Sequence, residues 1–333
     1  MKPEEKSLRL GIVIIVSALL LRFFSGGLAE KALAFLTSEK LAAVLLYLET
    51  GRIIVPIPET TAPAEEPPPP TIPEEPISLP VFAPEDSSFV EIHNTCSYTV
   101  DVQTLLQKPL AWELTGSEPT VLILHSHGSE SYTKTENYTE SSDYRTLNTA
   151  YNMISVGDRL AQLLEAGGIH VVHDRSIHDY PSYTDAYDHS RMSVKDYLKQ
   201  YPSIRLVLDL HRDAVVDGSG KQMPFSVSTE YGKAAQMMLV VGTDAGGLPH
   251  PNWEDNMALA LKLHVQLEQN CPDICRPINF RRSRFNQDLS AGALLIEMGA
   301  AGNNRHEALL SAEYLAQAIL QLAHGTATTS STS

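Results

Sequence analysis

Three stretches of the chain put metal-binding and proton-transferring side chains at the ends of apolar runs. LILHSHGSESY places His125, His127 and Glu130 just past Val121 to Leu124. LVLDLHRDA places Asp209, His211, Arg212 and Asp213 at the end of a run from Ile204. LLIEMGAAGNN places Glu297 in a run from Ala293. If the runs are strands, His125 and His127 share a face, because side chains alternate. A turn at Gly128 would then let Glu130 converge with His127, and His211 would supply a third ligand from a neighbouring strand end. Two imidazoles, one carboxylate and a water make a four-coordinate catalytic zinc site. Zinc lowers the pKa of its bound water to about 7, and a carboxylate must still take the proton and deliver it to a leaving group. Glu297 has that place. His125 reads as a substrate-facing or supporting residue, since a fourth protein ligand would close the site. Glu136, Glu140 and Asp143 in the following loop are alternative carboxylates to Glu130. Arg212 and Asp213 read as groups that fix His211 or bind substrate, with a plain ion pair as the alternative. Asp209 reads as a residue that orients a ligand or caps a loop.

Positioning these residues needs strands alternating with helices. The spacing predicts strands at 121–124, 169–172, 204–210, 237–242 and 293–298. It predicts helices over 148–166, 182–201, 252–268 and 305–322, and a small β segment within 88–119. That order implies an α/β fold, a central sheet covered by helices on both faces. Reactive groups in such sheets sit past the carboxyl ends of the strands.

Lys plus Arg total 25 and Asp plus Glu 40 in 333 residues, a net charge of −15. Such acidity argues against a nucleic-acid partner. Three cysteines make no disulfide scaffold, although one bridge is possible, and Cys271 with Cys275 falls short of a four-ligand zinc site. Lys2, Lys6 and Arg9 precede the apolar run Leu10 to Leu21, which Arg22 ends. Residues 1–29 are therefore expected to be a cytoplasmic tip and signal anchor, with a cleaved signal as the alternative; both place the remainder outside the cytoplasm. Residues 30–87 read as an amphipathic segment and a Pro/Glu-rich linker, with 11 prolines from Pro56 to Pro84. Residues 88–323 form the expected catalytic domain, and 324–333 a low-complexity tail.

The segments LILHSHGSESY, VGDRLAQLLEAGGIHVVHD, DLHRDA, VVG…NWEDNMALA and FNQDLSAGALLIEMGAAGNN occur in the order seen in the stage II sporulation protein P family of endospore-forming bacteria, which this chain resembles over about residues 88–323. The resemblance implies a zinc-dependent peptidoglycan hydrolase, similar in its core to N-acetylmuramoyl-L-alanine amidases, with stem-peptide endopeptidase cleavage also credited to the family. It implies a role in thinning septal wall for engulfment, and stage II sporulation proteins D and M as partners in a membrane-bound complex. The family's His-x-His-x-x-Glu element falls on His125, His127 and Glu130. Its Asp-x-His-Arg-Asp element falls on Asp209 to Asp213, and its Glu-x-Gly element on Glu297 and Gly299. Ser126 keeps a hydroxyl between the histidines.

The expectation is therefore an anchored, extracytoplasmic zinc amidase. His127, Glu130 and His211 hold the metal, Glu297 is base and then acid, and Arg212 and Asn286 are candidate substrate contacts. A zinc carboxypeptidase or endopeptidase on stem peptides, or an inert wall-binding scaffold, are the rival readings.

Overall fold

The computed structural model describes residues 82–110 and 113–324. The expected anchor, nearly all of the linker and the tail from residue 325 lie outside the described residues. Among the described residues no helix is long and apolar enough to cross a membrane.

Among the described residues, nine strands and five α-helices follow in chain order: β1 (Ile92–Asn94), α1 (Val102–Gln107), β2 (Val121–Leu124), α2 (Met153–Ala166), β3 (Val171–His173), α3 (Ala186–Gln200), β4 (Leu206–Asp213), β5 (Ser226–Thr229), β6 (Gly232–Ala235), β7 (Met237–Val241), α4 (Trp253–Asn270), β8 (Ile278–Phe280), β9 (Ala293–Ala300) and α5 (Arg305–His324). Seven strands form one sheet in the order β1-β8-β7-β9-β4-β2-β3, and β5 and β6 form a separate hairpin. β3, β2, β4 and β9 run parallel. β7 is antiparallel to β9, and β8 and β1 follow the direction of β7.

The apolar pattern explains the layering. Leu206, Leu208 and Leu210 of β4 and Leu294, Ile296 and Met298 of β9 alternate onto one face, where they meet buried residues of α2, α4 and α5. The opposite face carries Leu122, Leu124, Val207 and Ala293, covered by α3 through Val194, Tyr197 and Leu198. Helices do lie on both faces, but unequally. Past Ala293 the cover thins to a gap: Met238, Val240 and Leu295 form a separate patch, against which Tyr187 in the first turn of α3 and Phe285 pack. That gap leaves a cleft of about 540 Å³, lined by His93, Tyr187, Arg276, Arg281, Phe285 and Glu297 among others.

Two expectations are corrected. The helix predicted from Asn148 starts at Met153, because Asn152 takes the cap position and its side chain accepts from Ile154 N at 3.1 Å. Asn148 instead accepts from Ala150 N at 3.1 Å, closing a turn. The segment before β2 is less β-rich than expected. It contains the short strand β1 and the helix α1, which Asp101 caps by accepting from Thr104 N.

α1 ends on a buried cation. Lys262 of α4 is 4% exposed and donates to the carbonyls of Leu105 and Leu106, at the negative end of α1. Burial lowers its pKa to about 8 from the usual 10.5. The unfolded chain then holds this proton to higher pH than the fold does, so this site's contribution to stability rises between about pH 8 and 10.5. Lys262→Met should flatten that rise in thermal melts across the interval. An unchanged pH slope in the variant would assign the rise to other groups.

Candidate functional site

β4 and β9 position the reacting groups. Odd-numbered residues on both strands face away from the three-helix core, so Asp209, His211, Asp213 and Glu297 share the face that holds α3 and the cleft. The register pairs His211 directly with Glu297. His127 joins them from the end of β2, its ring 5.3 Å from that of His211 and nearly perpendicular to it. Residues from three strand ends thus do meet.

The two first-strand histidines do not share a face. β2 ends at Leu124, and the chain turns through residues 126–129, so the strict alternation assumed for them breaks. His125 points into the three-helix core. It is fully buried, with Nδ1 3.0 Å from Leu210 O and Nε2 2.9 Å from His173 Nε2. It therefore cannot face substrate. Burial, followed by the nearby His173, lowers its pKa to about 3, so both rings are held neutral. Gly157 of α2 leaves them room: a Cβ there would lie 2.5 Å from both Nε2 atoms. Gly157→Ala should cost about 1–3 kcal/mol through overpacking, measured as a lower denaturation midpoint. An unchanged midpoint would mean the pair gives way freely.

His127 swings to the cleft side. It stacks on Tyr183 at 4.3 Å between centroids and meets Tyr187 edge-on at 5.4 Å. The turn that carries it is fastened by Asp179, which accepts from Ser129 N at 3.0 Å and Ser129 Oγ at 2.6 Å. Asp209 accepts from Ser126 N at 2.7 Å and from Ser126 Oγ at 2.5 Å. Ser126 is thus a fastening of the first loop to β4 rather than a substrate group.

The electrostatics separate the two imidazoles. Burial, then the charge of His211, lowers the pKa of His127 to about 3. Burial also disfavours a charged His211, but Asp209, Glu130 and Glu297 together outweigh it and raise its pKa to about 9. His211 Nε2 lies 2.8 Å from Asp209 Oδ1, close but out of line for a hydrogen bond, and its Nδ1 lies 3.8 Å from Glu130 Oε2. Three carboxylates around one imidazole make a pocket that favours positive charge. Burial, reinforced by Glu130 and Asp213 and opposed by His211, raises the Glu297 pKa to about 8. Glu297 Oε2 and His127 Nδ1 are both buried without a hydrogen-bond partner.

Other candidates are accounted for differently. Glu130 is buried and receives Arg212 N at 3.2 Å and Arg212 Nη1 at 3.3 Å. Arg212 is itself buried, with Nε donating to Ser131 O and Nη2 to Tyr144 O. Its position on the core-facing side of β4 takes it away from the cleft, so it is not a substrate contact. Asp213 lines the cleft and is paired with Arg276 at 2.8 Å, the plain ion pair among its readings. Asn286 sits at φ +61° and donates to Tyr187 O at 2.8 Å and Ser190 Oγ at 3.2 Å, so its amide fixes a loop to α3. Glu136 and Asp143 are exposed, and Asp143 accepts from Ser141 Oγ. Glu140 Oε2 is buried without a partner. Among the described residues, the trio whose donor atoms all lie within 4.8 Å of one another is His264, Glu268 and Cys275, not His127, Glu130 and His211.

Tyr183, Tyr187, His173 and Asp179 were not singled out from sequence. Tyr183 lies in the bend before α3 and Tyr187 in its first turn, so no helical spacing links the pair in the sequence. His173 offered none, since its partner His125 is distant in sequence.

An open α/β sheet with a histidine–carboxylate cluster at adjoining strand ends defines the class of protein. Residues 73–320 match the stage II sporulation protein P family, to which the chain belongs. A relative from Bacillus subtilis (strain 168), stage II sporulation protein P, is 29% identical over 262 residues, or 74% of this chain and 59% of the relative. The chain thus spans about three fifths of that relative's length. Solved structures with partial likeness include an N-acetylmuramoyl-L-alanine amidase of Nostoc punctiforme, at 15% identity and TM-score 0.37 over 62% of this chain and 97% of that one. Another, from Mycobacterium smegmatis, has 10% identity and TM-score 0.39 over 64% of this chain and 100% of that one.

Proposed function

We propose that this chain is a peptidoglycan hydrolase that cleaves the amide between the muramoyl lactyl group and L-alanine. Stem-peptide endopeptidase cleavage is a second activity of the same site. The observation that carries the proposal is the meeting of His127, His211 and Glu297 at adjoining strand ends, with two buried atoms, His127 Nδ1 and Glu297 Oε2, left unpaired. Unpaired buried polar groups are costly unless function uses them.

The donor types suit zinc. Two imidazoles and a carboxylate are the usual catalytic set, and His127 is already in the neutral form that a metal requires. Glu130 Oε2 is 3.8 Å from His211 Nδ1, and Arg212 holds that carboxylate in place. His127, Glu130 and His211 would hold the ion. When bound, zinc would polarise the scissile carbonyl and acidify the attacking water.

The protein's own groups do the remainder. Asp209 lies beside the far nitrogen of the His211 ring, where its charge favours a proton on that nitrogen and leaves the other nitrogen for the ion. Tyr183 and Tyr187 pack around His127 and limit water there. Glu297 faces the cleft and takes a proton from the attacking water, then returns it to the leaving nitrogen. The cleft gives room for a glycan–peptide junction, with Arg276 and Arg281 along its wall for substrate carboxylates.

Family membership supports a place in sporulation, with the domain outside the cytoplasm, anchored in the membrane by the N-terminal apolar segment and acting on septal wall with stage II sporulation proteins D and M. Digestion of purified walls followed by mass spectrometry of the products tests the reaction. Release of intact stem peptides with free L-alanine amino groups is expected, and His127→Ala should abolish it. Products cut only within the stem peptide would replace the amidase assignment with endopeptidase. No solubilisation by the wild-type chain together with its proposed partners would favour the inert scaffold.

A further inference from the structure

We propose that His264, Glu268 and Cys275 form a second metal site, of the zinc class, that ties the end of α4 to the chain leading into β8. It shares no residue with the histidine–carboxylate cluster and does not depend on the function proposed above.

The donor atoms of these three residues already lie within 4.8 Å of one another. His264 and Glu268 stand four apart on α4, which puts them on one helix face. Cys275 is folded back to them by a tight turn in which Asp273 adopts φ +66°. Glu268 builds that turn: Oε2 accepts from Asp273 N at 2.9 Å and Oε1 from Cys275 N at 2.7 Å. Each carboxylate oxygen keeps a further lone pair.

His264 supplies the independent observation. It is 3% exposed, and its Nε2 lies 3.1 Å from Phe89 O. That contact makes Nε2 the protonated nitrogen, leaving Nδ1 as a bare acceptor. Nδ1 is buried and has no partner. An imidazole fixed by a backbone carbonyl behind it, with the other nitrogen unfilled, is the arrangement found in metal-ligating histidines.

The charges balance. A divalent ion with one thiolate, one carboxylate and one neutral imidazole is neutral overall, and the Cys275 thiol proton is released to solvent as the sulfur binds. The sulfur favours zinc or cobalt over magnesium or calcium.

The test uses the untagged full chain, purified under reductant and titrated with Co²⁺. A thiolate–cobalt bond gives a near-ultraviolet charge-transfer band that histidine and carboxylate ligands do not. The band should appear in the wild type, persist in His127→Ala and Cys96→Ser, and vanish in Cys275→Ser. Zinc analysis should show Cys275→Ser binding one ion fewer than the wild type. Absence of the band in the wild type overturns the proposal without relying on a variant that could misfold, and so does a full band in Cys275→Ser.

Discussion

Glu297→Gln should reduce wall solubilisation by about 10²–10⁴-fold, the usual contribution of a positioned general base. The same change should leave the fold intact and, without metal, make it more stable. Glutamine keeps the shape and removes the ionisable group. In the metal-free fold Glu297 titrates near 8 rather than at its ordinary 4.5. Between those values the unfolded chain has released the proton while the fold still holds it, so stability falls as pH rises through the interval. The wild type should therefore lose stability relative to Glu297→Gln between about pH 4.5 and 8, by about 3 kcal/mol at neutral pH. Denaturant titrations of both proteins in chelator, at pH 5 and pH 7.5, measure the difference. A parallel pH dependence in the two proteins would place Glu297 in an ordinary, solvated environment. Retained wall solubilisation would remove it from the reaction.

Much of the scaffold was legible because its signals are local. Largely apolar runs such as Ile204 to Leu210 and Ala293 to Met298 mark buried strands, and the period of α2 and α5 marks amphipathic helices. The grouping of His127, His211 and Glu297 followed from one rule, that active groups gather at the carboxyl ends of parallel strands. Failures came where non-local geometry decided. The end of β2 at Leu124 sends His125 and His127 to opposite sides, and a periodicity argument assumes the strand continues. Arg212 was legible as a charged neighbour of His211, but its side depends on whether β4 extends through Asp213. Asn286 is a candidate substrate contact by residue type, whereas its left-handed backbone and its bonds to α3 make it a loop fastening.

The cysteines show the same limit from the other direction. Counted as thiols, Cys271 and Cys275 are too few for a zinc site. His264 and Glu268 lie on one helix and belong with Cys275, but an imidazole and a carboxylate four apart are common on helix faces. Only the turn at Asp273 brings Cys275 back to them.

Arg212→Met should destabilise the domain by about 3–5 kcal/mol, the range for removing one partner of a buried ion pair. Methionine fills similar volume, so the loss is electrostatic rather than a cavity effect. Glu130 would keep only the backbone N–H of residue 212, the Ser131 carbonyl would lose the Arg212 donor, and the Tyr144 carbonyl would be left with Ser131 N alone. These carbonyls belong to the segment after the first-strand turn, so the same change loosens the loop that carries Glu130. Arg212→Lys should recover part of the loss at most, because one ammonium cannot reach three acceptors in the fork geometry of a guanidinium. A substrate-binding arginine would behave differently: the variant would melt normally, and its defect would be a raised KM that saturating wall overcomes. The denaturation midpoint and activity at saturating substrate separate the two. A large drop in midpoint is expected, with activity lost in step with the fraction folded. A normal midpoint with a raised KM would return Arg212 to the cleft.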